Sequence, residues 1–571
     1  MATSRGTEAT SGSGVALLDG RPEGEPEPAA HRDTAAVRAT AARRSYWRTN
    51  GWRNGAELWT ITHLEPVWTL LRRLPVVRSR INRRLINRLV HKLETRPNAL
   101  STMTPYTSWE SLTDRTYSAR HLPADDALQQ RLQRVAPASV AELFRREQPR
   151  ESTKSTLLFS HFAQWFVDGF LRTDPDDVLR NTSTHDIDLS QLYGQTEDVT
   201  AMLRTHSGGR LKSQQIDGGE FPPYYFGPDG EVEPEFVDLP LSYPGRDRKA
   251  VELGDLTEGQ KRSLFALGIP RGNIHYGFVM LSTLFLREHN RLAGLIAAEN
   301  PDWDDERVFQ TARNTLIVIL IKIVIEDYIN HITPSHFKLF VEPGIGVREE
   351  WYRQNWMSIE FDLLYRWHPL VPTDLDVGGV RRAASDVLWE ADVVPQQGLA
   401  ALFDEASRQP SAEIGIRNTA EFLLPVEERT IAIGRRAALA GFNDYRQACG
   451  YPRLRSFSDF SADPEVAEAL EARYGSVDDV ELYVGLFAED VRRNSALPPV
   501  MGTMVAVDAF SQALTNPLLT RSVFTASTFS RAGMRAIKRT SRLRDLVDRN
   551  TPGEDTRPLV TFTRTSSTAT R

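Results

Sequence analysis

Helical patterns dominate this chain from residue 106 to about residue 550, and the period-two alternation that a strand needs is rare and short. A chain so patterned can bury its apolar faces only by packing helix on helix, so the expected class is all-α, mainly helical with very little β structure. The clearest helical stretches are 304–332, 395–406, 425–440 and 464–474. Three of them open on a proline, which suits the first helical position because its missing N–H has no partner there in any case. Glycine and proline gather instead in long connections such as DGGEFPPYYFGPDGEVEP at 217–234. No internal repeat divides the chain.

Length alone, 571 residues, suggests about four domains at roughly 150 residues each. The continuous pattern reads instead as one large helical domain. Residues 1–45 contain no Phe, Trp or Tyr and centre on GRPEGEPEPAA, so they bury too little to offset their ordering entropy and read as a disordered tail. Residues 551–571, rich in Thr and Ser, read the same way. With 69 basic against 75 acidic residues the net charge is −6, which argues against a nucleic-acid partner. The single cysteine, Cys449, excludes an intrachain disulfide and any metal site built on several thiolates, leaving twelve histidines for metal chemistry. The first twenty residues lack the apolar stretch of a secretory signal. The most apolar run, 316–325, is interrupted by Lys322 and falls short of a membrane span. A cytoplasmic location is the expectation.

Residues 56–96 differ in kind. Trp59 and Trp68 come first, and from Leu70 to Arg96 there are nine Lys or Arg and one acidic residue, Glu94. Val77, Ile81, Leu85, Leu89 and Leu93 recur every fourth position and fall on one slowly drifting helical stripe, with arginines beside it. Two readings stand: an amphipathic helix lying in a membrane interface, or a surface helix packed on the body.

No Walker A loop, dinucleotide fingerprint, H-E-x-x-H or G-x-S-x-G is present. Three local constellations remain. In Tyr365-Arg366-Trp367-His368-Pro369 the proline pushes His368 out of the α region, so it ends or kinks a helix there. Tyr365 and His368, three apart, would neighbour each other on a helix surface. A lone histidine so placed is more often structural, yet a buried neutral imidazole is also the usual axial ligand of haem iron. In His161-Phe162-Ala163-Gln164-Trp165-Phe166-Val167-Asp168, Gln164 and Asp168 share a face that is otherwise apolar. They are either a buried hydrogen-bonded pair or a polar pair over a ligand. The run Leu286-Arg287-Glu288-His289-Asn290-Arg291 reads as a buried charge network that fixes helix packing.

At these places the chain resembles the animal-type haem peroxidases, and within them the cyclooxygenase branch. LYRWHPLVP is similar to the family's Tyr–x–Trp–His–Pro block. LREHNR with DWDDERVFQTARNTLIVILIKIVIEDYI, YTSWESL (106–112), THDIDLSQLYG (184–194), FNDYRQ (442–447) and the spacing from Tyr483 to Asn516-Pro517 also resemble it, in order, over about 56–545. The resemblance implies a haem peroxidase-like fold, a catalytic domain over 97–550, and a haem b whose iron His368 ligates on the proximal side. It implies that Tyr365 carries a radical that takes hydrogen from a polyunsaturated fatty acid, with O2 and a hydroperoxide as co-reactants. Gln164 matches the distal glutamine. Tyr328 and Tyr483 match tyrosines near the catalytic tyrosine and the proximal side. Ile329, Ile332, Thr333, Leu497, Gly502, Ala506 and Ala509 match the substrate channel. The 56–96 segment stands where the family has membrane-binding helices, implying a peripheral, membrane-surface location on the inner face. A homodimer is left open.

The departures bear on mechanism. Asp168 occupies the distal histidine position. With a free pKa of about 3.9 against about 6.5 for His, it would be deprotonated and able to act as a base at neutral pH, but a poor acid unless burial raised its pKa by several units. His161, two turns earlier, lies too far to substitute directly. The constriction tyrosine is Ser335, the matching arginine falls near His91 or Lys92, Ala509 replaces the serine beneath the catalytic tyrosine, and Asp508 and Phe510 beside it also differ. The resemblance therefore implies a fatty-acid dioxygenase, with a haem peroxidase-like oxidase of another small molecule, Asp168 serving as acid–base, as the alternative.

Overall fold

The computed structural model describes residues 49–71, 73–90, 116–241, 256–352, 356–551 and 557–565. Three helices come first: α1 (Trp52–His63), α2 (Glu65–Leu71) and α3 (Pro75–Val90). The main helices of the body are α4 (Leu157–Val167), α5 (Tyr276–Glu299), α6 (Asp305–Ile323), α7 (Ile359–Leu364), α8 (Leu424–Arg436), α9 (Leu482–Ala488), α10 (Pro499–Leu514), α11 (Ala526–Arg539) and α12 (Leu543–Asn550). The β structure among the described residues is three two-stranded antiparallel ribbons: β1 (Glu151–Thr156) with β6 (Pro410–Ala412), β2 (Gln214–Ile216) with β3 (Gly219–Phe221), and β4 (Asp374–Val377) with β5 (Val380–Ala383). The fold is mainly α, as the pattern predicts.

Helix α6 shows how the sequence builds the centre. The Asp304 side chain accepts from the Arg307 N–H, Asp305 and Glu306 occupy the first turn, and Lys322 the last, so both ends suit the helix dipole. Between them Leu316, Val318, Ile319, Leu320 and Ile321 are wholly buried, and each such side chain contributes about 1.5–3 kcal/mol. With its continuation to Ile332, α6 is long and apolar enough to cross a membrane by length and composition, yet most of it is buried within the body, against α5 and α11. At Val324–Ile329 the helix widens into a π turn that carries Tyr328 and Ile329. Such turns recur at functional sites.

The 286–291 run lies inside α5 and is a charge network. Glu288, fully buried, accepts from Arg291 Nε (2.8 Å), Arg549 Nη2 (2.8 Å) and Asn550 Nδ2 (2.8 Å). Burial alone would raise its pKa, but the bonds from Arg291 and Arg549 outweigh it and hold the carboxyl below its usual range. His289 bonds Tyr193 Oη (2.8 Å) and the Gly209 carbonyl (2.9 Å), and burial pushes it down to about 4.

One open reading is decided and one expectation is corrected. The fourfold stripe of α3 faces protein: Ile81, Leu85 and Leu89 pack against the core, and Asn82, Ile86 and Val90 are buried, with α3 set against α10. The polar edge of α3 is tied down as well, by Ser79 to Glu342 (2.5 Å), Asn82 to the Phe340 carbonyl (2.9 Å) and Arg83 to Glu349 (2.7 Å). The apolar surface left open belongs to other residues: Trp52, Trp59, Val67, Leu70, Leu74 and Val76. Residues 557–565 are not a loose tail. Val560 and Phe562 are buried, the Phe562 carbonyl accepts from Thr156 N (3.0 Å), and its ring lies 5.1 Å from Phe162. Two apolar anchors in a Thr- and Ser-rich stretch suffice to dock it beside β1. Residues 1–45, 91–96 and 106–112, with their tail, stripe-end and motif readings, lie outside the described residues, as do 566–571.

Candidate active site

Helix α7 delivers Tyr365 and His368. Ser358 caps it by accepting from Phe361 N (3.0 Å), and it ends at Leu364, earlier than the proline alone predicts. Trp367 explains the early stop: its N–H reaches the Tyr365 carbonyl (2.9 Å) and its indole N–H donates to the Leu364 carbonyl (2.6 Å). Tyr365 and His368 are therefore not neighbours on one helix face, as expected from spacing. They lie across a turn, with His368 opening a short 3-10 segment, His368–Leu370.

The Tyr365 ring is buried, stacked on Trp367 (4.6 Å, 23°) and edge-on to Phe361 (4.8 Å). Its hydroxyl is buried without an aligned hydrogen bond, and so is that of Tyr328. The two phenols interact electrostatically, and burial raises both above their ordinary values, Tyr328 far above. Each is thus a protonated phenol at neutral pH. Phe159 of α4 stacks on Trp367 (5.8 Å) and on Tyr328 (5.3 Å), which brings α4, the π turn and the Tyr–Trp–His turn together.

His368 keeps 19% of its side-chain surface, and Nε2 makes no hydrogen bond among the described residues. Nδ1 lies 3.2 Å from Glu427 Oε2 but off the line of an N–H bond. Glu427, in the first turn of α8, is fully buried. Its Oε1 accepts from Thr419 Oγ1 (2.8 Å) and its Oε2 from Tyr483 Oη (2.6 Å), whose oxygen also lies 3.0 Å from the Arg366 carbonyl.

Along α4 and its C-cap every residue is buried except Ser160, Gln164 and Asp168, at spacings of four. Gln164 makes no side-chain hydrogen bond among the described residues, so the two residues do not form the buried Gln–Asp pair that their spacing allows. Arg172 Nη2 donates to the Asp168 carbonyl (2.8 Å). His161 is nominally on the same face, but there the start of α5 covers it: Nε2 is 3.1 Å from Tyr276 Oη, and a Cβ on Gly277 would meet the imidazole at 2.4 Å.

A parallel stripe runs along α10, where only Gly502 and Ala506 are half-exposed. A Cβ on Gly502 would meet nothing nearer than Leu497 Cβ at 3.8 Å. Ala496 N donates to the Ile332 carbonyl (3.2 Å), joining that segment to the helix end that carries Ile329, Ile332 and Thr333. Leu497, Ile329, Ile332 and Ala509 are buried, and Thr333 is half-buried. Ser335 is turned inward, bonded to the Phe337 carbonyl (3.2 Å), while His91 and Lys92 lie outside the described residues. Sequence reading missed two features. Asp508 binds His121 Nε2 (2.9 Å) and accepts from Ser358 Oγ (3.1 Å), so it ties α10 to the start of α7. Glu427 lies 59 residues from His368 with no motif to mark it.

A haem fits these residues: an imidazole with Nε2 open, an orphaned Nδ1 beside a carboxylate, and two unburied polar positions on an otherwise buried helix. A mainly helical body offering such an imidazole next to a buried tyrosine is that of a haem oxidoreductase. The chain belongs to the animal haem peroxidase family, whose sequence pattern matches residues 140–562, and within it to the cyclooxygenase-like branch. It is 31% identical to prostaglandin G/H synthase 2 of Equus caballus over 506 residues, covering 86% of this chain and 80% of that one. It is 32% identical to prostaglandin G/H synthase 1 of Rattus norvegicus over 491 residues, 84% and 78% of the two chains. The fold is also that of the fatty acid alpha-dioxygenase of Oryza sativa (TM-score 0.62, 16% identity, 87% of this chain and 95% of that one). The Arabidopsis thaliana fatty acid alpha-dioxygenase gives TM-score 0.63 at 15% identity, covering 87% and 93%.

Proposed function

We propose that this chain is a haem-dependent dioxygenase that oxygenates a polyunsaturated fatty acid through a radical on Tyr365. The observation that carries the reading is the buried Tyr365 ring, its hydroxyl beside that of Tyr328, one turn from an imidazole whose Nε2 makes no hydrogen bond among the described residues. A haem b held by His368 would supply the one-electron oxidation that turns the phenol into a phenoxyl radical. Tyr365 Oη then takes a hydrogen atom from a bis-allylic C–H, forming O–H and leaving a carbon radical. O2 adds to that carbon. The resulting lipid peroxyl radical takes the hydrogen back from Tyr365, giving a hydroperoxide and restoring the tyrosyl radical. Trp367 and Phe361 hold the ring and exclude water from it. The open stripe Gly502–Ala506 with Leu497, Ile329, Ile332, Thr333 and Ala509 is the wall along which an acyl chain would lie. Names of relatives, prostaglandin synthases and fatty acid alpha-dioxygenases, support a lipid substrate.

Access from a membrane surface belongs to the same proposal. Six exposed apolar residues, Trp52, Trp59, Val67, Leu70, Leu74 and Val76, are concentrated on α1–α3, and α3 packs on α10. Such a patch suits an interfacial, monotopic contact.

A second reading has its own observation. Asp168 takes the place beside Gln164 where acid–base chemistry on a peroxide would occur, which favours an oxidase of a smaller donor. Oxygen uptake with linoleate, set against peroxide-driven oxidation of an aromatic donor, separates the two. Uptake without added donor supports the dioxygenase, and donor oxidation without uptake overturns it.

A further inference from the structure

Glu427 is a wholly buried carboxylate, and among the described residues its one charge partner within salt-bridge distance is His368. Isolating a carboxylate from water costs several kcal/mol unless it is paired and hydrogen-bonded. Here two neutral hydroxyls fix its plane: Thr419 Oγ1 on Oε1 (2.8 Å) and Tyr483 Oη on Oε2 (2.6 Å). So fixed, Oε2 lies 3.2 Å from Nδ1 of the imidazole, off the line of an N–H bond, and a small rotation of the ring aligns the two.

We propose that Glu427 is the positioning residue of the proximal side. It takes the Nδ1–H of His368, sets the tautomer that leaves the Nε2 lone pair for iron, and makes the imidazole a stronger electron donor. Metal-bound histidines commonly hand their second N–H to a carboxylate, which fixes the ring and raises its basicity as a ligand. Second-shell hydrogen bonding is in turn one of the levers on haem potential. Tyr483 competes for the same oxygen, so it moderates the effect of Glu427 rather than adding to it. The inference rests on His368 holding the haem.

The test uses full-length, haem-loaded wild type, Glu427→Gln and Tyr483→Phe. The readouts are the ferric/ferrous midpoint potential and the iron–histidine stretching band of the ferrous protein. Glu427→Gln shifts the potential upward and the stretch to lower frequency. Tyr483→Phe, which frees Oε2 for the imidazole, shifts both the opposite way, and it decides the matter alone if Glu427→Gln does not fold. Wild-type values in both variants, or shifts of the same sign in both, overturn the role of Glu427. A wild-type protein without a His368-dependent Soret band overturns the haem reading itself, so the two failures are distinct.

Discussion

Asp168 stands one helical turn beyond Gln164, and both sit on the half-exposed stripe of a helix that is otherwise buried. A carboxylate with a free pKa of about 3.9 is almost wholly deprotonated at neutral pH, so it can serve as a base but rarely carries the proton that a general acid must deliver. Positioned acid–base catalysis is worth about 10²–10⁴-fold. Asp168→His is therefore expected to raise peroxide-dependent oxidation of an aromatic donor by about tenfold or more, measured as initial rates at matched haem content. An unchanged rate would show that the open stripe does not handle peroxide.

Glu288 is bonded by Arg291 and Arg549 with no exposure of its own. Glu288→Ala leaves the partly exposed guanidinium groups of Arg291 and Arg549 without their buried carboxylate, and losing charged hydrogen bonds of this kind costs about 1.5–3 kcal/mol. Glu142→Ala, which removes an exposed partner of Arg145, is expected to cost under about 1 kcal/mol. Denaturant unfolding of both variants checks the contrast.

Acid is expected to destabilise the fold through its buried histidines. Burial pushes His289 and His275 down to about 4, and His161 and His331 well below their ordinary value. Between about pH 6.5 and about pH 4 the unfolded chain binds protons that the folded chain refuses, so stability falls as pH falls. His289 alone accounts for about 3 kcal/mol across that window. Unfolding midpoints at several pH values check the slope, and a flat profile above pH 4 would refute it.

The exposed patch makes a prediction for lipid. Trp59→Ser combined with Leu70→Ser is expected to lower the fraction of protein that floats with anionic vesicles, while leaving the far-ultraviolet helix signal unchanged. Flotation equal to wild type would exclude this patch as the contact.

Much of this was legible in the residues, because periodicity reports which face is buried. The stretch 304–332 reads as a helix and is one, apart from the π turn, which changes hydrogen bonding without changing composition. The polar spacing of Gln164 and Asp168 identified a face, but only packing shows that it is the one face of this helix left partly exposed. His161 looked equivalent by angle and is not, because the start of α5 covers it. The stripe of α3 could face lipid or protein, since both solvents of an apolar residue look alike in sequence. Glu427 was illegible: its partner is brought to it by folding, and a lone Glu in a helical first turn ordinarily reads as a surface residue.

The most direct test of the central claim is oxygen consumption by Tyr365→Phe beside wild type, with linoleate and a trace of hydroperoxide. The account predicts that the variant keeps the Soret band, since His368 is untouched, and takes up no oxygen. Wild-type uptake by the variant would contradict a radical on Tyr365.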